Sequence, residues 1–224
     1  VPSGVHTSDV VVIGSGINGA SCAYHLAERG LSVTVLDRET GPAMGSTGRS
    51  AAGVRVQFTT EANVRLSMHS LPVFREFRER HGHDIGYRPI GYLLLVPHER
   101  WPAHLDSVAL QKRLGAPVEV LDPVEARRYV DFHVEGLAGA TFGPWDGVID
   151  PHMACLAWVE MAKELGATFR MSAPVTSVEP TPGGWTVQAG GARYSCGWVV
   201  NVAGPGAGEG ARLAGRAGAG GPQR

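Results

Sequence analysis

Three glycines at fixed spacing are the residues of this sequence that most directly indicate chemistry. Gly14, Gly16 and Gly19 form a Gly-x-Gly-x-x-Gly pattern that directly follows the apolar run 10–13. In such a turn the first glycine permits a tight bend, the second admits a pyrophosphate close to the backbone, and the third lets a helix pack on a strand. Free amides at the start of a helix favour negatively charged phosphates. The pattern therefore predicts a dinucleotide phosphate site.

An acidic residue follows at the distance that this kind of site requires. Asp37 ends the apolar segment 32–36 and lies eighteen residues after Gly19. A carboxylate at the tip of the second strand can accept hydrogen bonds from an adenosine ribose, and it would repel a 2′-phosphate. The combination argues against NADP but does not separate NAD from FAD. A glycine-rich turn without a ligand is the alternative interpretation.

The elements around these residues follow the order of a βαβ unit. The β-branched run 10–13 predicts a strand buried on both faces, 17–29 a helix with small residues on one face, and 32–36 a second strand. The other predicted elements are a helix through Val64, Met68, Leu71 and Phe74 with a kink at Pro72, paired strands within 85–97, a helix over 99–114, a strand over 118–121, helices that start after Asp122 and Asp150, and strands over 168–171, 174–179, 185–188 and 198–202. The predicted fold class is α/β.

Composition excludes several classes of function. With 20 basic and 21 acidic residues the net charge is −1, so no basic surface is available for nucleic acid. Three widely spaced cysteines do not form a disulfide framework, and no secretory signal or membrane span is recognisable, which together predict a cytoplasmic protein. The pair His81 and His83 lacks further ligands at metal spacing, so no metal site is expected. No Gly-x-Ser-x-Gly motif supports a hydrolase.

Three further stretches match a known group of flavoenzymes. They are Gly-Ser-Thr-Gly-Arg-Ser-Ala-Ala-Gly-Val-Arg over 45–55, Pro-Val-Thr-Ser-Val over 174–178, and Val-Val-Asn-Val-Ala-Gly over 199–204. With the glycine pattern, they make the chain resemble the D-amino-acid oxidase superfamily, in the branch of β-subunit-type sarcosine oxidase, glycine oxidase and dimethylglycine dehydrogenase. The resemblance implies a Rossmann-like FAD-binding domain with an interleaved, incomplete α+β substrate domain.

The resemblance also implies roles for individual residues. The residues expected to bind FAD are Gly14, Gly16, Ile17, Asn18, Gly19, Asp37, Arg38, Gly45, Ser46, Thr47, Ser50, Ala51, Ala52, Gly53, Val175, Ala203 and Gly204. Arg55 is expected to hold a substrate carboxylate, a task that suits a guanidinium fork. The alternatives are a surface loop for 45–53, a plain strand residue for Val175, and a surface-paired arginine for Arg55. Trp145 and Asp146 lie in a turn without an assigned role.

The implied activity is oxidation of the CH–NH bond of a small amine or amino acid by hydride transfer to FAD. Residues 1–80 and 137–215 are expected to form the FAD-binding domain, and 81–136 the first part of the substrate domain. The segment 216–224 is expected to be a disordered tail outside the family, and the chain to be C-terminally truncated. A non-catalytic FAD-binding fragment, dependence on a partner subunit, and an NAD-dependent dehydrogenase remain alternatives.

Overall fold

The chain forms two compact units. The structure is a computed structural model that describes residues 4–215. Within that part, residues 4–50 and 151–215 form the first unit, and residues 51–150 form the second. The predicted tail 216–224 lies outside the described residues.

The secondary structure alternates between strands and helices, as an α/β protein requires. The strands are β1 (Val5–Ile13), β2 (Val33–Leu36), β3 (Gly53–Val54), β4 (Tyr92–Pro97), β5 (Glu119–Leu121), β6 (Leu137–Gly143), β7 (Gly147–Val148), β8 (Thr168–Arg170), β9 (Val175–Thr181), β10 (Gly184–Ala189) and β11 (Ala192–Asn201). The helices are α1 (Ile17–Glu28), α2 (Glu61–Arg75), α3 (Phe77–His81), α4 (Trp101–Arg113), α5 (Pro123–Ala126), α6 (Pro151–Glu164) and α7 (Ala207–Leu213). The predicted α/β class is confirmed.

The first unit is built on a six-stranded sheet with the order β8-β2-β1-β11-β10-β9. The strands β8, β2, β1 and β11 are parallel, whereas β10 and β9 continue the sheet as antiparallel strands. The carboxyl ends of β1, β2 and β8 therefore lie at one edge. Ligands of open parallel sheets bind at that edge.

Both faces of the central strands are covered by apolar side chains. On one face Val10 and Val12 pack with Ala23 of α1 and Ala162 of α6. On the other face Val11 packs with residues of β9, β10 and β11. This burial explains the continuous β-branched run, because a strand covered on both faces has no polar side to alternate with.

The second unit contains a three-stranded antiparallel sheet with the order β4-β6-β5 and a separate pair of short strands, β3 and β7. A core cluster joins Val56 to Leu71 of α2 and Val108 of α4. The start of α5 has the predicted cap, since the Asp122 side chain accepts a hydrogen bond from the Val124 amide at 2.8 Å.

The prediction of two paired strands within 85–97 is wrong in part. Only β4 is a strand there, and its partner is β6. Arg88 forms an isolated two-way bridge with Val148, and the ladder stops at Pro89 and at Gly91, whose φ is +77°. A proline without an amide and a left-handed glycine both interrupt strand pairing.

The boundaries of the compact units differ from those predicted for the domains. Residues 51–80 and 137–150 pack with the second unit, because α2 shares its core with α4 and because β6 is the central strand between β4 and β5. The division falls after Ser50 and before Pro151. Which of these segments contribute to cofactor binding stays a prediction.

Candidate functional site

The predicted glycine turn lies at the carboxyl end of β1 and accepts no larger side chain. Gly14 has φ +108°, and a Cβ there would lie 2.7 Å from the Val202 carbonyl oxygen. A Cβ on Gly19 would lie 1.9 Å from the Gly14 carbonyl oxygen. Both obstacles are backbone atoms, which cannot rotate away. The two positions therefore require glycine for packing, as the spacing predicted.

The start of α1 presents backbone donors. No residue in the described part of the chain accepts a hydrogen bond from the amides of Gly16, Asn18 or Gly19. The Ile17 amide donates to Thr47 Oγ1 at 3.0 Å. Three free amides at the positive end of a helix dipole form an arrangement that suits an anion. The predicted residues of this turn are thus placed where a pyrophosphate could accept their hydrogen bonds.

Asp37 directly follows β2 and is tied to the same turn. Its Oδ2 accepts hydrogen bonds from the Ser15 amide at 2.6 Å and from Ser15 Oγ at 2.7 Å, and its Oδ1 accepts one from the Glu39 amide at 2.9 Å. A carboxylate offers about four lone-pair sites. The Asp37 carboxylate therefore orients the turn and keeps acceptor capacity on Oδ1 for a ribose hydroxyl. The role of Ser15 was not predicted.

The loop over 41–50 packs against the turn through its backbone. The Ala43 amide donates to the Ser15 carbonyl at 3.2 Å, and the Gly48 amide donates to the Ala43 carbonyl at 2.8 Å. A Cβ on Gly48 would lie 2.3 Å from that Ala43 oxygen and 2.6 Å from His152. Gly45, Ser46 and Ser50 lie in the same loop and are exposed. The structure thus brings Thr47 and its loop to the glycine turn, and their contact with FAD stays a prediction.

The end of β11 also reaches the turn. The Val202 amide donates to the Ile13 carbonyl at 3.0 Å, and a Cβ on Gly14 would lie 3.0 Å from Ala203 Cα. Gly204 follows with φ +55°. Of the other predicted residues in this unit, Val175 begins β9 opposite Ala189, and Arg38 is exposed with its Nε 3.2 Å from Glu39 Oε1. The structure describes no contact of these two side chains with the turn.

A cysteine completes the support of the turn. The buried Cys155 of α6 donates from Sγ to the Ser15 carbonyl oxygen at 3.4 Å. Burial raises the pKa of this thiol to about 11, so the neutral form that donates the hydrogen bond is the one present near neutral pH. We interpret Cys155 as a packing residue and not as a nucleophile. Because Cys155 lies in a helix far along the chain, no local sequence pattern indicates its contact with the turn.

The remaining predicted residues, Ala51, Ala52, Gly53 and Arg55, belong to the second unit. Ala51 is exposed, the Ala52 carbonyl accepts the Ile149 amide, and a Cβ on Gly53 would overlap the Tyr92 hydroxyl.

Arg55 is half-buried, and its guanidinium carbon lies 4.8 Å from the centre of the Phe58 ring. Among residues 4–215 no carboxylate lies within 4.0 Å of this guanidinium. A stacked arginine without an ion-pair partner retains its donors for a carboxylate ligand.

A chain of hydrogen-bonded polar groups crosses the second unit, in which Gln57, Thr141 and Asp146 are buried and His104 is partly buried. His104 Nε2 lies 2.9 Å from Thr141 Oγ1, whose hydroxyl donates to Gln57 Oε1 at 2.7 Å. Gln57 Nε2 donates to the Tyr92 carbonyl at 2.9 Å and to Asp146 Oδ2 at 3.1 Å. Since the Thr141 proton points to Gln57, the Thr141 oxygen accepts from His104, which places the ring proton on Nε2.

The stability of the chain is expected to depend on pH through His104. Burial lowers the pKa of this histidine below its ordinary value of 6.5, so the folded state binds the proton more weakly than the unfolded chain does. The resulting stability is fully present above pH 6.5 and decreases as the pH falls toward the lowered pKa. Thermal unfolding midpoints of the wild type and a His104→Gln variant at pH 7.5 and 5.5 test this. The variant should lose less stability on acidification.

The exposed His133 provides the matched control for that measurement. Its side chain is fully accessible to solvent, so a His133→Gln variant should keep the pH dependence of the wild type. If His104→Gln and His133→Gln respond to pH in the same way, the partly buried ring of His104 is not the source of the effect.

Residues 4–215 contain no group of three or more histidine, cysteine or acidic side chains that could hold a metal ion. Over the same residues no helix has both the length and the apolar content needed to cross a membrane.

The glycine turn with its free amides, the acid after β2 and the parallel sheet define a dinucleotide-binding unit. The family assignment is more specific. The chain matches the FAD dependent oxidoreductase (DAO) family over residues 9–223 and therefore belongs to that family. The match continues beyond Gly215, where the resemblance was expected to end. Because the family is FAD dependent, the NAD-dependent alternative is without support.

Two of the relatives are mitochondrial dehydrogenases. The chain is 30% identical over 224 residues to human mitochondrial sarcosine dehydrogenase, covering 93% of this chain and 24% of that protein. It is 28% identical over 204 residues to mouse mitochondrial dimethylglycine dehydrogenase, covering 88% of this chain and 23% of that protein. The chain thus spans about a quarter of the length of these curated relatives.

Two solved structures share the fold at significant identity. L-proline dehydrogenase from P. horikoshii has a TM-score of 0.87 and 31% identity, covering 94% of this chain and 56% of that chain. Glycine oxidase from Geobacillus kaustophilus has a TM-score of 0.81 and 27% identity, covering 96% of this chain and 60% of that chain. These similarities confirm the predicted fold and the predicted superfamily.

The residues around the turn fit FAD, the cofactor of the family. A Cβ on Gly14 or Gly19 would meet backbone atoms, so the turn keeps the close-packed form that leaves its amides open. The amides of Gly16, Asn18 and Gly19 are free donors, and Asp37 Oδ1 retains acceptor capacity. Donors for a pyrophosphate and an acceptor for a ribose are the groups that an adenine dinucleotide needs.

Proposed function

We propose that this chain binds FAD through its first unit and takes part in oxidising the carbon–nitrogen bond of a small amino acid or N-methyl amino acid. The observation that carries the proposal is the set of free amides at the start of α1 beside Asp37, in a chain of the FAD dependent oxidoreductase family. The named relatives act on sarcosine, dimethylglycine, glycine and proline, which supports an amino-acid substrate.

The residues of the chain have distinct tasks in this proposal. The amides of Gly16, Asn18 and Gly19 hold the pyrophosphate, and Asp37 orients the turn and accepts from the ribose. The other residues of the first unit that the resemblance assigns to FAD contribute backbone groups and side chains to the same site. Arg55 holds the substrate carboxylate through its guanidinium donors.

The chemistry itself belongs to the cofactor. When bound, FAD would supply the acceptor for a hydride from the substrate carbon next to the nitrogen. With the loss of that hydride and of a proton from nitrogen, the substrate would become an imine, which water hydrolyses to a carbonyl compound and an amine. Arg55 acts before that step by fixing the carboxylate and thereby the orientation of the neighbouring carbon.

A second candidate function is FAD binding without turnover by this chain alone. It is favoured by the position of the groups that fit FAD, since the amides of Gly16, Asn18 and Gly19 and the Asp37 carboxylate all lie in the first unit, which has its own apolar core.

Anaerobic reduction of the bound flavin separates the two functions. Sarcosine, glycine and proline are added in turn to FAD-loaded protein, and the flavin absorption band is followed. If the chain is the proposed oxidoreductase, at least one of these amines bleaches the flavin absorption band. The matched N-acetyl derivatives, which lack a basic nitrogen, leave the band unchanged. Bound flavin that no amine reduces contradicts the first proposal and supports the second.

A further inference from the structure

A buried carboxylate in the second unit contacts the segment that carries Arg55. Asp146 is fully buried, and its Oδ1 accepts a hydrogen bond from the Val56 amide at 2.8 Å. Its Oδ2 accepts one from Gln57 Nε2 at 3.1 Å. A Cβ on Gly143 would lie 2.3 Å from Oδ2, so a glycine is needed for the carboxylate to occupy this place. Both oxygens are therefore used to hold the two residues that follow Arg55.

The other end of the same segment is also held from the core. Gln111 of α4 is buried, and its Nε2 donates to the Phe58 carbonyl at 2.8 Å. The Phe58 amide donates to the Val56 carbonyl at 2.7 Å. The backbone between Arg55 and Phe58 is thus restrained at both ends, and it carries both of the side chains that stack.

The charge of Asp146 also requires a partner. A buried carboxylate is costly without a compensating positive charge. Burial raises the pKa of Asp146, whereas its hydrogen bonds and the positive charge of Arg55 act in the opposite direction. The two groups are nevertheless not a salt bridge, because no carboxylate of the described residues lies within 4.0 Å of the guanidinium. Asp146 thus compensates Arg55 without occupying its donors.

We propose that Asp146 is a positioning residue for Arg55, which orients the guanidinium through the backbone and the charge and leaves its donors free for the carboxylate of the substrate. This inference rests on the proposed function, since it assigns a ligand to Arg55. If the role of Asp146 were purely structural, its substitution would lower the stability of the chain and nothing else. In the proposed role, the substitution also weakens the preference of the site for a carboxylate ligand over a neutral ligand of the same shape.

The test measures that preference with ligands that cannot be oxidised as amines. Methoxyacetate has the shape of sarcosine with oxygen in place of nitrogen, and methoxyacetamide is its uncharged counterpart. Isothermal titration of FAD-loaded protein gives the ratio of the two dissociation constants. The wild type should prefer the carboxylate by at least about tenfold, or about 1.4 kcal/mol. Asp146→Asn should lose most of this preference and leave the amide affinity unchanged.

Two comparisons distinguish positioning from general damage. Thr141→Val removes a buried hydroxyl from the same hydrogen-bond chain without changing a charge. This control should lower stability but keep the wild-type ratio. In an Arg55→Met background, Asp146→Asn should have no further effect on the ratio, because Asp146 influences it only through Arg55 and the two substitutions are then not additive. A wild-type ratio in Asp146→Asn, or an equal loss in Thr141→Val, overturns the inference.

The outcomes remain distinguishable from failure of the proposed function. A wild type that binds FAD but shows no preference for methoxyacetate contradicts the role of Arg55 itself, and with it this inference. If Asp146→Asn does not fold, the stability of Arg55→Met tests the inference instead. Without the arginine the buried carboxylate loses its compensating charge, so the stability deficit relative to wild type should be full near neutral pH and should shrink as acidification protonates Asp146. A deficit that does not change over the whole acidic range in which the chain stays folded overturns the inference.

Discussion

A Gly19→Ala variant is expected to bind FAD at least about a hundredfold more weakly than the wild type, or about 2.7 kcal/mol. The added methyl group would lie 1.9 Å from the Gly14 carbonyl oxygen, so either the turn or α1 must move. Overpacking of this kind costs about 1–3 kcal/mol in stability. Displacement of the glycine turn would also point the free amides at the start of α1 away from the pyrophosphate. Flavin fluorescence titration and thermal unfolding measure both effects.

Gly183→Ala is the matched control for that substitution. Gly183 lies in the turn between β9 and β10, and a Cβ there has no atom within 4 Å. The same chemical change should therefore leave both FAD affinity and stability close to the wild type. A Gly19→Ala protein that binds FAD as tightly as Gly183→Ala would contradict the described packing of the turn.

An Asp37→Ala variant is expected to lose about a hundredfold in FAD affinity. The substitution removes the acceptor of two hydrogen bonds from Ser15 and one from Glu39, as well as the acceptor for the ribose. Hydrogen bonds to a charged group contribute about 1.5–3 kcal/mol each. Part of the loss should appear as lower stability and part as weaker binding, because the turn is loosened and a ligand contact disappears.

Asp9→Ala is the matched control. Asp9 lies in β1 and accepts the same pair of hydrogen bonds, one from a serine amide and one from its hydroxyl, just before the start of β2. Its Oδ2 accepts from the Ser32 amide at 2.7 Å and from Ser32 Oγ at 2.6 Å. Removing it should lower the thermal midpoint without changing FAD affinity. If Asp9→Ala weakens FAD binding as much as Asp37→Ala does, the effect of Asp37 is one of fold stability and not of the site.

The sequence predicted the part of the site that depends on local structure. The spacing of Gly14, Gly16 and Gly19 between a β-branched run and a helix is sufficient to place a strand, a tight turn and a helix start, since each glycine has a local steric reason. The position of Asp37 follows from the length of the βαβ unit. These predictions required no knowledge of distant parts of the chain.

The contacts between distant segments could not be predicted in the same way. Asp37 binds Ser15 across two strand ends, and Cys155 reaches the Ser15 carbonyl from a helix 140 residues further along the chain. Asp146 was noted only as part of a turn, because nothing in its neighbours indicates that it will be buried against Val56. Burial of a polar side chain is decided by tertiary packing, which local spacing does not encode.

The misplaced strand pair has a related cause. The apolar residues on both sides of Pro89 have the composition of two strands, yet β4 pairs with β6, whose residues lie 40 to 51 positions further along the chain. Strand pairing depends on the register of both partners, and only one of them is local. The boundaries of the compact units differ from the predicted domains for the same reason, because β6 joins β4 and β5.

The amount of flavin that stays bound to the purified chain shows whether the turn before α1 and Asp37 bind FAD. The folded protein is saturated with FAD, freed of unbound ligand by gel filtration, and denatured, and the released flavin is identified and counted against protein. The free amides of α1 and the acceptor at Asp37 predict about one FAD per chain, with a lower content in Gly19→Ala and Asp37→Ala. A well-folded chain that retains no FAD would contradict the account.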